Sequence, residues 1–145
     1  MKVTLSAKDA GLEREIDTLL SLNRVEITEG IHEDAGNVDG ISIAEYAAMN
    51  DLGTRHIPAR PWLRSYWNTQ SERVMKAFER LSNANDLPTA LEKLALWVES
   101  DHRNYIKRTY WPRNTLKTIE RKGSDKPLID EGFLINAILC RIKGG

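Results

Sequence analysis

The stretch Ala44–Asn68, AEYAAMNDLGTRHIPARPWLRSYWN, decides the fold, because it joins a helix, a Gly-Thr stop, a double-proline loop and a second helix. Ser42 and Glu45 stand at capping-box spacing, and Ile41 and Tyr46 are placed to close a hydrophobic staple, so a helix runs from about Ile43 to Leu52. Gly53 suits the left-handed residue that ends it, since glycine carries no side-chain penalty at positive φ. Thr54–Arg60 cannot be regular helix: Pro58 and Pro61 lack amide donors and push Ile57 and Arg60 toward extended backbone. Pro61 opens the next helix. From there Leu63, Tyr66, Trp67, Gln70, Val74, Ala77, Phe78 and Leu81 recur at helical spacing along roughly twenty residues.

Working outward, Val3–Leu5 reads as a short strand or extended start, and Lys8–Leu22 as an amphipathic helix with Leu12, Ile16, Leu19 and Leu20 on one face. Val25, Ile27 and Ile31 mark a strand whose alternation Glu29 breaks. HEDAGNVDG, His32–Gly40, reads as a polar, mobile loop. Beyond the second helix, SNAND at Ser82–Asp86 is a turn. Asp86 and Pro88 then open a helix with Leu91, Leu94, Ala95, Val98, His102, Tyr105 and Ile106 on one side, antiparallel to its predecessor. Trp111–Pro127 is a second mobile excursion, and Ala137–Ile142 closes the chain as a strand. The fold class expected is α+β: a small, mostly antiparallel sheet covered by several helices in a single domain over residues 1–145.

Composition bounds the rest. With 145 residues, 41% hydrophobic and 29% charged, the chain is an ordinary globular protein. No apolar run is long enough to span a membrane, no signal core opens the chain, and a cytosolic site of synthesis is expected. Net charge is zero, yet from Asp9 to Asp51 eleven acids face two bases, net −9, and from Arg103 to Gly145 ten bases face four acids, net +6. Such a bipolar chain satisfies its charges either within one fold or between copies in a head-to-tail ring.

Three stretches carry a family resemblance. YAAMNDLGTRHIPARPWL, Tyr46–Leu63, resembles the signature of tail-completion and head-tail connector proteins of long-tailed bacteriophages, the group also labelled virion-morphogenesis or minor tail proteins. NTLKTIERKGSDKPLIDEGFLINAI, Asn114–Ile138, resembles that family's C-terminal segment, and VEITEGIHEDA, Val25–Ala35, its first long strand and acidic loop. Glu131, Phe133 and Ala137 depart from the family pattern. The resemblance implies a structural virion protein at the neck or upper tail, assembled as a homo-oligomer, a ring of six. Its partners would be the portal or adaptor connector, the tail tube or tail terminator and, non-specifically, DNA in the channel. It implies residence in the virion, and in host cytoplasm during assembly.

Candidate chemistry is sparse. His32, His56 and His102 lack metal-ligand spacing and read as surface or loop residues; His32-Glu33-Asp34 has no converging partners. Cys140 reads as a small buried strand residue. The sequence offers no phosphate loop, nucleophile elbow or paired metal motif, so no catalytic, cofactor or metal residue is assigned and no enzyme is expected. Arginines beside aromatics have the composition of interface anchors. The contact residues expected are therefore Arg55, His56, Arg60 and Trp62 in the proline-rich loop, with Lys122, Asp125 and Lys126 in the C-terminal excursion. Trp67 is assigned to the core. The competing reading is a sequence-independent nucleic-acid-binding module that uses the basic 103–126 region with Tyr105, Tyr110 and Trp111.

Overall fold

A computed structural model describes residues 2–3, 25–113 and 132–144. Its strands are β1 (Lys2–Val3), β2 (Glu26–Gly30), β3 (Asn37–Val38), β4 (Ile41–Ser42) and β5 (Leu139–Lys143). Its helices are α1 (Ile43–Leu52), α2 (Trp62–Ala84), α3 (Leu87–Arg108) and the single turn α4 (Phe133–Asn136), with a 3-10 turn at Glu33–Ala35. The architecture is α+β. One sheet has the order β1-β2-β5, with Lys2 opposite Thr28 and Val3 opposite Ile27 in an antiparallel pair. The second sheet is the β3-β4 hairpin.

The expected helix at Lys8–Leu22 and most of the excursion at Trp111–Pro127 lie outside the described residues. Elsewhere the helix periodicity holds closely, but α2 runs to Ala84, into the turn expected at Ser82–Asp86, and β5 begins at Leu139, two residues after the start of the strand expected at Ala137–Ile142. Ser42 Oγ accepts from the Glu45 amide at 3.4 Å and starts α1 where the capping box places it. Ile41, the outer half of the expected staple, is instead 48% exposed. Asp86 caps α3 by accepting from the Thr89 amide at 2.9 Å, and hydrogen bonds from the Thr89 side chain and then its amide hold the Asp86 carboxyl below the usual range.

The loop expected at His32–Gly40 is more ordered than its polarity suggests. Val38 faces Ile41 across a two-residue turn in which Asp39 (φ 52°) and Gly40 (φ 78°) both take positive φ. An Asp-Gly pair of this kind matches the twist of a two-residue hairpin. The signal stood in the sequence as Val38-Asp39-Gly40-Ile41.

The chain divides into two compact units, each built from separate stretches of sequence. The first comprises, in its described parts, residues 2–3, 25–29, 69–100 and 140–144. Its core is apolar and mostly aliphatic: Val74, Ala77 and Phe78 from α2, with Leu87, Ala90, Leu91, Leu94, Ala95 and Val98 from α3. The two helix segments run antiparallel, as the short Asn85–Asp86 connection requires, with Asn85 near Lys93 and Arg73 near Trp97. Glu29 is buried here, which explains why it interrupts the strand pattern. Cys140 donates its amide to Glu99 Oε1 at 2.8 Å, and burial, reinforced by Glu29 and Glu99, pushes its thiol up to about 12. The thiol is therefore protonated at neutral pH, although Cys140 is half-buried and not the fully buried strand residue expected from its alternation with Ile138 and Ile142.

The second unit comprises residues 30–68, 101–113 and 132–139 in its described parts. Its core joins Ala47, Trp62, Ile106, Trp111, Leu134, Ile135 and Ile138. His102 corrects the surface assignment made from sequence: it is 0% exposed, its ring 4.0 Å from that of Tyr66 and 5.5 Å from that of Trp62, stacked on both. Its Nε2 shares a 2.9 Å hydrogen bond with the Trp62 carbonyl. A histidine on the apolar face of a long helix is held inside because both its faces and one nitrogen find partners.

Candidate interaction surface around the proline-rich loop

The loop Thr54–Arg60 is fastened at its base and exposed at its tip. Gly53 has φ 78° and ψ 161°, so its positive φ is the expected one but its ψ is extended, in a region open to glycine alone. The Thr54 amide donates to the Ile57 carbonyl at 2.8 Å, and Thr54 Oγ1 accepts from the amides of His56 and Ile57. The Arg60 amide then donates to the Asn50 carbonyl at 2.6 Å and closes the loop onto the end of α1. Arg55 and His56 stand exposed on the tip formed in this way.

Arg60 corrects the sequence reading, which placed it among the contact residues. It is 4% exposed, and its guanidinium reaches three carbonyl oxygens: Asn50 Oδ1 at 2.8 Å, Pro112 O at 2.8 Å and Arg113 O at 3.3 Å. Burial pulls its pKa below the ordinary value, partly offset by Tyr46, but a guanidinium remains charged. It thus ties the end of α1, the proline-rich loop and the segment after α3 to one side chain. Asn50 completes the knot by donating Nδ2–H to the Tyr46 carbonyl.

Trp62 is corrected in the same way. It is 2% exposed and donates its indole N–H to the Ala47 carbonyl at 2.9 Å, so it belongs to the core. Arg64 braces the loop from outside: its Nε is 2.8 Å from Asp51 Oδ2, while Asp51 Oδ1 accepts the Leu63 amide and caps α2. Lys122, Asp125 and Lys126 lie outside the described residues.

Two aromatics invoked for nucleic-acid contact are also interior. Trp111 is buried with its indole N–H on the Ile106 carbonyl, and Tyr105 is packed against the core with its hydroxyl on Ser65. Tyr110 remains 83% exposed. No protein-family model, curated protein or solved structure matches the chain. The surfaces have therefore to be read on their own chemistry.

A second exposed feature of this unit is acidic, and it lies within the Asp9–Asp51 stretch whose net charge of −9 the sequence shows. Between Val25 and Thr54 there is no lysine or arginine. Glu33, Asp34, Asp39 and Glu45 are exposed on the 3-10 turn, the hairpin turn and the start of α1, and Ile41 protrudes among them. The Ile43 amide donates to the Gly36 carbonyl at 3.0 Å and holds these pieces together. Among the described residues no group of three or more His, Cys, Asp or Glu side chains is arranged to hold a metal ion, and no helix is long and apolar enough to cross a membrane.

Proposed function

We propose that this chain is a structural virion protein of a tailed bacteriophage, a ring-forming subunit at the neck or upper tail that completes the tail and joins it to the head connector. The observation that carries this reading is the acidic, base-free segment, which exposes Glu33, Asp34, Asp39 and Glu45 together with the apolar Ile41, on a protein whose positive charge lies further along the chain. An unlike-charge pair of surfaces on one subunit suits a head-to-tail interface, the kind that closes into rings. The resemblance of Tyr46–Leu63 to connector proteins supports the location. The fastened loop adds a rigid knob on which Arg55 and His56 are offered to a connector or tail partner without much ordering cost on binding.

Negative-stain electron microscopy of the purified chain in about 50 mM salt tests this, since surface charge pairs are least screened there. Closed rings are expected, six subunits each. A particle that stays monomeric but binds duplex DNA in a salt-sensitive manner would replace this reading with the basic nucleic-acid module.

A further inference from the structure

In the first unit, α2 and α3 enclose a shallow groove of about 370 Å³ lined by Ala77, Leu81 and Trp97, with Arg80 and Lys93 on its rim. Arg73 adds a third cation, its guanidinium 5.8 Å from the centre of the Trp97 ring. On α2 the residues Arg73, Ala77, Arg80 and Leu81 follow helical spacing and form one stripe. Glu72 sits on the adjoining stripe and is taken up by Lys76 at 3.4 Å. Glu79 and Glu92 on these helix segments are also exposed, and Asp86 at the start of α3 is close enough to Lys93 to feel its charge.

We infer that the hairpin Asn37–Ser42 of one copy seats in this groove on the next copy, with Ile41 on the Ala77–Leu81–Trp97 floor and the surrounding acids on Arg73, Arg80 and Lys93. The inference rests on the ring reading and names its interface. Charge and shape both argue for a second copy as occupant. The hairpin, with the 3-10 turn before it and the helix start after it, presents four exposed acids and one exposed apolar side chain, and the groove presents three cations around an apolar floor. Paired strands lie about 5 Å apart, so the hairpin tip is narrow enough to enter between two helices. Each copy carries one hairpin and one groove, the arrangement a head-to-tail ring needs.

A charge-swap experiment tests this in the full chain, using light scattering in about 50 mM salt. E33K/D34K/E45K turns the surface around the hairpin basic, with Asp39 as its remaining acid, and R80E/K93E makes the groove acidic. All five positions are exposed, and unchanged circular-dichroism melting verifies that each variant folds. Each variant alone should assemble at least about tenfold more weakly than the parent chain, equivalent to 1.4 kcal/mol. An equimolar mixture should regain assembly, because every hairpin then meets a groove of opposite charge. Assembly should also shift the emission of half-buried Trp97, a change absent in W97F. Parent-like assembly by both variants would overturn this interface and leave the ring reading intact. Folded variants that lose assembly without rescue on mixing would overturn the pairing of these two surfaces. A parent chain that stays monomeric at every concentration would overturn the interface and the ring reading together.

Discussion

The two units are held together by different chemistry. In the first, the helices meet through Val74, Ala77, Phe78, Leu91, Leu94 and Val98, side chains whose contribution scales with the apolar area they remove from water. In the second, buried residues include Asn50, Asp51, Arg60, Asp101 and His102 beside Trp62, Tyr66 and Trp111. Their polar atoms demand partners at set distances and angles. Aliphatic packing tolerates changes that keep volume, whereas a buried polar network loses more than the deleted group when one member goes. The unit that displays the fastened loop and the acidic hairpin is the one with the stricter geometry.

The largest effect should come from Arg60→Ala, which strips donors from three carbonyl oxygens and opens a space in the second unit. Urea unfolding should show a loss of about 3–5 kcal/mol, and Arg60→Lys should recover less than half of it, because an ammonium cannot span all three acceptors. A paired test is sharper. Tyr66→Phe and Leu94→Met both nearly conserve volume, but the first removes the hydroxyl that donates to Asp101 Oδ2 at 3.0 Å inside the second unit. It should cost about 1.5–3 kcal/mol, against less than about 1.5 kcal/mol for Leu94→Met. Equal costs would erase the distinction between the units.

Gly53→Ala should cost about 1–3 kcal/mol, since φ 78° with ψ 161° excludes a side chain. The added Cβ would also stand 2.9 Å from the Ala59 amide nitrogen. At the loop tip, Arg55→Ala and His56→Ala should each change stability by no more than about 0.5 kcal/mol, and calorimetry on the parent and variants would show it. In the first unit, Cys140 should label slowly with iodoacetamide at neutral pH. Its thiol is raised to about 12 by burial, with Glu29 and Glu99. A raised thiol pKa leaves stability unaffected below the ordinary thiol value and lowers it as pH climbs from there toward about 12, because the unfolded chain then sheds the proton first.

The legibility of the sequence follows the same division. The helices of the first unit were readable because apolar spacing alone positions them: Val74, Ala77, Phe78, Leu91, Leu94 and Val98 are buried as their periodicity demands. The boundaries of α1 were readable from Ser42 and Gly53, whose roles are local. Arg60, Trp62 and His102 were misplaced because their burial depends on partners distant in sequence: Pro112 for Arg60, the Ala47 carbonyl for Trp62, and the rings of Trp62 and Tyr66 for His102. An arginine between prolines reads as an exposed anchor until the acceptors that bury it are known. The hairpin was missed for another reason. Its turn signal was present at Asp39-Gly40, but two-residue strands are too short to show alternation.

For Thr54–Arg60 the contacts that fix the loop are already supplied by its own chain. Hydrogen exchange on the dilute, unassembled protein tests this most directly, read at the amides of Thr54, Ile57 and Arg60 and compared with Arg55 at the exposed tip. The account predicts slow exchange at Thr54, Ile57 and Arg60, whose N–H groups donate to Ile57 O, Thr54 Oγ1 and Asn50 O, and faster exchange at Arg55. Uniformly fast exchange across all four, slowing only on assembly, would contradict it.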